Sequence, residues 1–102
     1  MKIDSQIDKE KKIKVFHVEG EVDIHHLKNL KAEIMDSIES NGWTYEINME
    51  KVTYLDSSGL GLLVYIKKEI TRHNGKLRIL NVSEQVLNVF KVTKLDEFFE
   101  IA

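Results

Sequence analysis

The hydrophobic residues of this chain follow a two-residue period in some segments and a period near 3.6 residues in others, and the two kinds of segment alternate. The segment IKVFHVEG at 13–20 is rich in β-branched residues, which is typical of a strand. From Leu27 the apolar residues recur at steps of three and four residues, at Leu30, Ile34 and Ile38, which predicts an amphipathic helix. Such alternation predicts an α/β fold around a largely parallel central sheet, whose edge strands can be antiparallel.

The remaining elements follow the same two patterns. Strands are predicted at 2–8, 43–49, 52–55, 76–80 and 97–101, and further helices at 60–73 and after Ser83, whose hydroxyl can cap the helix start. The first helix is predicted to begin between Asp23 and His26, where an acid suits the unpaired amides. It is predicted to end at Asn41-Gly42, a pair that favours the left-handed conformation of a helix C-terminus.

Two further predictions concern burial. The strand at 13–20 carries apolar residues on both of its sides, with Val15 on one side and Phe16 on the other, so both faces are expected to be covered. Phe98 and Phe99, close to the end of the sequence, are predicted to be core residues.

The composition excludes several classes of protein. At 102 residues the chain is expected to form a single domain, 1–102, that buries about two-thirds of its unfolded surface. Fifteen basic and seventeen acidic residues give a net charge of −2, which provides no broad positive field for nucleic acid or anionic membranes. No cysteine is present for a disulfide or a thiolate metal site. The first residues lack the apolar region of a signal peptide, and the longest apolar run, 62–66, is far shorter than the roughly 20 residues that span a bilayer. We therefore expect a cytoplasmic protein that binds neither nucleic acid nor membranes directly.

The motif YLDSSGLGLLV at 54–64 places an acid, two hydroxyls and a glycine immediately before an apolar helix. A strand that ends at Leu55 and a helix that begins near Ser58 put Asp56 and Ser57 at the carboxyl edge of the sheet, where open α/β sheets carry functional loops. In the simplest interpretation Asp56 or Ser57 only caps the helix, a contribution of about 1 kcal/mol.

Two glycines in the motif need a further reason. Gly59 and Gly61 lie early in the helix, where each costs up to about 1 kcal/mol relative to alanine. Another backbone or a partner protein can approach closely at a glycine, and the amides near Ser57 can face an anion at the helix N-terminus. Both features fit a phosphorylated Ser57, whose added charge beside Asp56 would alter binding without altering the fold.

Enzymatic interpretations have weaker support. A nucleophile elbow has the form G-x-S-x-G, and neither Ser57 nor Ser58 has a glycine two residues before it. The stretch GLGLL lacks the lysine and the spacing of a phosphate-binding P-loop. His25 and His26 are adjacent, so in a helix their side chains point about 100° apart, which disfavours a metal site. The sequence therefore predicts no enzyme activity, no cofactor and no bound metal.

The segments GEVDIHHLKNLKAEI at 20–34 and VTYLDSSGLGLLV at 52–64 together resemble the STAS-domain anti-sigma factor antagonists, small proteins of bacterial partner-switching systems. The first segment matches the family's G-E-[apolar]-D before the first helix, and the second matches its D-S-[ST]-G-L-G at the start of the second helix. The family order of glycine, strand and helix continues through NGKLRILNVSEQVLNVFKVTKLDEFFEI, so the resemblance covers nearly the whole chain. Family members often carry another helix after the last strand, which is expected here to be absent or compressed into 95–100.

The resemblance implies a STAS-like mixed sheet of four or five strands with helices packed against it. It implies that the unphosphorylated protein binds an anti-sigma factor that is also a serine kinase, and so frees a sigma factor. The kinase uses ATP to phosphorylate the antagonist and release it, and a separate metal-dependent phosphatase resets it. By motif position Ser57 is the phosphorylated residue. Asp23, Asp56, Ser58 and Gly59 join Ser57 in the implied partner-binding surface, where Asp56 orients Ser57 and Gly59 gives the partner room.

Two other interpretations stay open from the sequence. A STAS domain with the same serine motif can be a scaffold or a phosphorylation-dependent interaction module in a pathway without a sigma factor. A small serine hydrolase would instead use Ser57 as a nucleophile. The isolated protein is expected to be a monomer or a weak dimer.

Overall fold

A computed structural model describes residues 1–38 and 42–101 of the chain. The elements in chain order are β1 (Lys2–Asp8), β2 (Ile13–Val22), α1 (Leu27–Met35), β3 (Thr44–Leu55), α2 (Ser57–Arg72), β4 (Lys76–Leu80), α3 (Glu84–Val92) and β5 (Glu100–Ile101). This order confirms the predicted alternation of strands and helices. None of the helices within the described residues is long and apolar enough to cross a membrane.

The five strands form one sheet in the order β1-β2-β3-β4-β5. β1 pairs with β2 in antiparallel fashion, whereas β2, β3, β4 and β5 pair in parallel. The prediction of a mixed, largely parallel sheet is therefore confirmed. Because the parallel strands follow one another without a reversal of order, right-handed crossovers place α1, α2 and α3 on the same face of the sheet.

The hydrophobic core lies between that face of the sheet and the three helices. Alternate residues of β3 point into it and are almost completely buried, namely Tyr45, Ile47 and Met49. The helices contribute Leu30 and Ile34 from α1, Leu60, Leu63, Ile66 and Ile70 from α2, and Val86 and Phe90 from α3. The ring of Phe90 packs edge to face on Phe99, with centroids 5.3 Å apart. Phe99 is thus a core residue as predicted, whereas Phe98 is 37% exposed.

The opposite face of the sheet carries polar side chains and ion pairs. Arg78 on β4 lies 2.9 Å from a carboxylate oxygen of Glu46 on β3 and 3.3 Å from one of Glu100 on β5. Val15 pairs in register with Glu46 and is only half-buried. The prediction that both faces of β2 are covered is therefore wrong, because every crossover helix lies on the other side of the sheet.

The segments predicted as separate strands at 43–49 and 52–55 form the single strand β3. The strand continues because β2 runs beside it as far as the pair of Val22 with Leu55. The pairing of β3 with β4 ends at Asn48, and beyond this residue β3 pairs only with β2 in the described structure. The last residues of β2 and β3 therefore extend beyond the end of β4, and the loops that follow these two strands lie at this extended edge.

The helix ends and the last strand also differ from the predicted boundaries. Helix α1 ends at Met35, and the predicted terminal residue Asn41 lies outside the described residues. The last strand is shorter than the predicted 97–101, because β4 pairs with it only through Glu100 and Ile101. The predicted cap of α3 is confirmed, since the Ser83 hydroxyl accepts a hydrogen bond from the amide of Val86 at 3.2 Å.

Candidate functional site

The carboxyl ends of β2 and β3 lie side by side at one edge of the sheet. Val22 and Leu55 are paired, and the amide of Asp56 donates to the carbonyl of Val22 at 3.2 Å. The loop that begins at Asp23 and the start of α2 therefore meet, although they are more than 30 residues apart in the sequence. This edge carries Asp56 and Ser57, as the motif predicted, and it brings the loop around Asp23 beside them, as the family resemblance implied.

The carboxylate of Asp56 connects these two segments. Its Oδ1 atom accepts hydrogen bonds from the Ser58 hydroxyl at 2.6 Å and from the Gly59 amide at 2.8 Å, which caps α2. Its Oδ2 atom accepts a hydrogen bond from the amide of Ile24 at 3.3 Å. The Ser58 hydroxyl and the Gly59 amide, assisted by the Ile24 amide, outweigh the effect of burial and hold the pKa of Asp56 below its ordinary value. Asp56 is therefore ionised at neutral pH.

Asp23 is bound within its own loop. Its side chain accepts a hydrogen bond from the amide of His25 at 3.0 Å, and Nδ1 of His26 lies 2.8 Å from the same oxygen. Burial raises the pKa of Asp23, but the His25 amide and the His26 imidazole together outweigh it and lower that pKa. The residue is only 8% exposed. Asp23 thus stabilises the loop before α1. The prediction that an acid serves the start of that helix is wrong, because α1 begins after His26 without a side-chain cap.

The two serines of the motif differ in their environment. Ser58 is half-buried, and its hydroxyl is engaged with Asp56. Ser57 is the first residue of α2 and is exposed, and within residues 1–38 and 42–101 its hydroxyl has no hydrogen-bond partner. A protein that reaches this edge therefore finds the Ser57 hydroxyl free to react.

The two glycines of the motif also differ. A Cβ atom on Gly59 would lie 2.5 Å from the carbonyl oxygen of Val22 and 2.8 Å from its Cγ1 atom. A Cβ atom on Gly61 would meet nothing within 4 Å. The close approach at Gly59 is therefore made by the chain's own β2. The expectation that Gly59 gives a partner room is wrong for this reason, and the open position is Gly61.

Ile24 is the residue at this edge that the sequence reasoning missed. Its side chain is 66% exposed, although isoleucine is among the residues most often buried. No signal in the sequence pointed to this exposure, because Ile24 lies three residues before Leu27 and so continues the spacing of Leu27, Leu30 and Ile34. Its exposure in the structure, on a loop whose backbone is bonded to Asp56, makes Ile24 a candidate for a contact with another molecule.

The arrangement suits a serine that is modified by another protein. Within the described residues no base contacts the Ser57 hydroxyl, and His26 is engaged with Asp23. Activation of a serine nucleophile requires such a base. The first amides of α2 and the helix dipole favour negative charge at its N-terminus, so a phosphate on Ser57 can be accommodated there.

Comparisons with known proteins agree with this geometry. The model of the family described as STAS domain matches residues 4–102. An anti-sigma-B factor antagonist of Staphylococcus aureus (strain NCTC 8325 / PS 47) is 30% identical over 84 residues, which cover 82% of this chain and 78% of that protein.

Solved structures share the fold. The Bacillus cell fate determinant SpoIIAA in its phosphorylated form has a TM-score of 0.72 and 25% identity, and the match covers 99% of this chain and 91% of that one. An anti-sigma-factor antagonist (STAS) domain protein from Planctomyces limnophilus has a TM-score of 0.82 and 19% identity, with 97% and 87% of the two chains covered.

Proposed function

The chain belongs to the STAS domain family and, within it, to the anti-sigma factor antagonists, and we propose that phosphorylation of Ser57 switches its activity. The unphosphorylated form binds an anti-sigma factor that is also a serine kinase, and this binding frees a sigma factor in the bacterial cytoplasm. Phosphorylation of Ser57 ends the binding, and a separate metal-dependent phosphatase restores it.

The observation that carries this proposal is the difference between the two serines. The hydroxyl of Ser58 donates to Asp56 at 2.6 Å and would have to break that bond in order to react. The hydroxyl of Ser57 is exposed and free within the described structure. The phosphorylated form of the structural relative SpoIIAA supports the same kind of switch.

The transfer itself needs chemistry that the kinase supplies. The Ser57 oxygen attacks the γ-phosphorus of ATP, the bond from that phosphorus to the bridging oxygen breaks, and ADP leaves. The hydroxyl proton passes to a base of the kinase. In the reverse branch, water hydrolyses the phosphoserine under the phosphatase, and inorganic phosphate is released. This chain contributes the acceptor hydroxyl and its fixed position at the start of α2.

The effect of the phosphate is electrostatic and local. It adds about −1.5 to −2 charges at pH 7 next to the ionised carboxylate of Asp56. The N-terminus of α2 partly offsets the repulsion between the two groups. Because Ser57 is exposed, the added group changes the surface that a partner meets while the core stays intact.

Phosphosite mapping of the protein from its native cells tests the proposal. The tryptic peptide 52–67 contains both serines, so fragmentation of this peptide distinguishes them. We expect phosphate on Ser57, no phosphate on the peptide of Ser57→Ala, and phosphate still on Ser57 in Ser58→Ala, which shows that Ser58 is not the acceptor. Stoichiometric phosphorylation of Ser57→Ala by the purified kinase would contradict the assignment.

A binding measurement tests the switch. Ser57→Asp introduces a charge at the acceptor position, and calorimetry should show weaker binding to the kinase than the wild type shows. Unchanged affinity would reject the electrostatic account. A peptide that stays unmodified under every growth condition would favour a STAS scaffold instead.

A further inference from the structure

Ile24 carries an exposed apolar side chain on a loop whose backbone is bonded to Asp56, the residue before Ser57. Its amide donates to Oδ2 of Asp56 at 3.3 Å, and the preceding residue, Asp23, is buried and bonded to the amide of His25. The side chain itself is 66% exposed. Because the loop is already ordered, a partner that buries Ile24 gains the release of water from an apolar surface at a small cost in conformational entropy.

Gly61 leaves a gap on the same side of the molecule. It lies four residues after Ser57, so the two positions are neighbours on one face of α2, and both are exposed. A Cβ atom at Gly61 would contact nothing, and alanine favours a helix over glycine. The chain's own packing therefore does not account for this glycine, whereas it does account for Gly59.

We propose that Ile24, on the loop before α1, and Gly61, one turn of α2 after Ser57, are the specificity-determining contacts of the anti-sigma factor kinase. The kinase buries Ile24 in an apolar pocket, and its backbone enters the gap at Gly61 so that ATP reaches the Ser57 hydroxyl. Asp56 is a positioning residue, because one carboxylate holds both the Ile24 amide and the start of α2. This inference rests on the function proposed above.

The polarity of this edge favours an apolar and backbone contact over an ionic one. The carboxylates of Asp23 and Asp56, which the resemblance placed in the partner-binding surface, are occupied by the chain's own donors. The exposed uncharged groups at this edge include the Ile24 side chain and the backbone at Gly61. A phosphate on Ser57 would lie one turn of α2 from Gly61 and next to Asp56, which binds the Ile24 amide, so a partner that covers both contacts would have to desolvate it, and phosphorylation would release that partner.

The test compares three variants with the wild type, using the purified kinase that phosphorylates Ser57. Ile24→Ala removes the anchor and Gly61→Ala fills the gap. Val92→Ala is the matched control, because Val92 is 82% exposed and ends α3 at the opposite edge of the sheet. We measure the dissociation constant by calorimetry, the rate of Ser57 phosphorylation, and the Tm of each variant.

We expect Ile24→Ala and Gly61→Ala each to weaken binding about tenfold or more and to slow phosphorylation at limiting kinase concentration. The Tm of Ile24→Ala should match the wild type and that of Gly61→Ala should match or exceed it, so that unfolding does not explain the loss. Val92→Ala should behave as the wild type in all three measurements.

Wild-type binding by either Ile24→Ala or Gly61→Ala overturns the inference, while the proposed function stands as long as the wild type is phosphorylated on Ser57. A wild-type chain that is never phosphorylated on Ser57 overturns the proposed function and the inference together. Equal losses in Val92→Ala and Ile24→Ala also overturn the inference, because the contact would then not be specific to the Ser57 edge.

Discussion

Replacement of each motif glycine by alanine should change stability in opposite directions, although the two positions are two residues apart in the same helix. At Gly59 the new Cβ atom would lie 2.5 Å from the Val22 carbonyl oxygen, 2.8 Å from Val22 Cγ1 and 3.0 Å from Leu55 Cδ1. The first of these neighbours is backbone of a paired strand, so it cannot rotate away. Helix α2 and the end of β2 must therefore move apart.

The size of the effect follows from two opposing terms. Overpacking of this kind costs about 1–3 kcal/mol. Alanine returns up to about 1 kcal/mol of helix propensity relative to glycine. Because the nearest neighbour is backbone at 2.5 Å, the cost should lie in the upper part of that range, about 2–3 kcal/mol, and the free energy of unfolding of Gly59→Ala should fall by about 1–2 kcal/mol. At Gly61 only the favourable term applies, because a Cβ atom there meets nothing, and the free energy of unfolding should rise by about 0.5–1 kcal/mol.

Thermal and urea unfolding measure both changes. For a domain of this size 1 kcal/mol corresponds to about 4–8 °C in Tm, so Gly59→Ala should melt about 5–15 °C below the wild type and Gly61→Ala about 3–6 °C above it. An unchanged slope of free energy against urea would show that the denatured state is the same in each variant. Wild-type stability of Gly59→Ala would refute the reasoning, because the contact with Val22 would then be yielding or absent.

Three further predictions concern the carboxylates at this edge. Asp56→Ala removes the acceptor for the Gly59 and Ile24 amides and should lower the free energy of unfolding by about 1–2 kcal/mol in urea titrations. Asp56→Asn can still cap the helix and should lose less stability. Equal losses in the two variants would show that the charge of Asp56 matters and that capping does not. Folding lowers the pKa of Asp56 and of Asp23, so the contribution of these carboxylates to stability is fully present above about pH 4 and is lost as the pH falls through their folded pKa values. Urea titrations should therefore show a lower free energy of unfolding at about pH 2 than at about pH 5, and an unchanged free energy would contradict this. Ser58→Ala removes the hydroxyl that donates to Asp56 at 2.6 Å, so the pKa of Asp56 measured by NMR should rise toward its ordinary value; an unchanged pKa would exclude that hydrogen bond as the cause of the lowered pKa.

Much of the candidate site could be predicted from the motif alone. The residue order D-S-S-G placed Asp56 and Ser57 at the end of a strand and the start of a helix, and the structure has them there. The assignment of roles within the motif needed contacts. The resemblance assigned roles to Ser57 and Gly59, but only the structure shows that Ser58 donates to Asp56 and that Gly59 packs on Val22.

Local patterns determined the order and the kind of the secondary structure elements. Periods of 2 and 3.6 residues depend on which side chains of one segment face the same way, so they can be read from a dozen neighbouring residues. The same locality explains why the caps at Asp56 and Ser83 could be predicted, since each bonds an amide three residues later. The core positions of the helices followed from the same spacing.

Tertiary structure alone decided which faces are covered and which groups meet. The strand order without reversal puts every helix on one side, which leaves Val15 half-buried on the other. The same order sets the end of β2 beside the end of β3, so that Asp56 holds the amide of Ile24, 32 residues away in the sequence. Such contacts join residues that no local period relates, and their geometry depends on how closely whole elements approach. The exposed side chain of Ile24 and the open position at Gly61 are therefore properties of the assembled sheet edge and not of either segment.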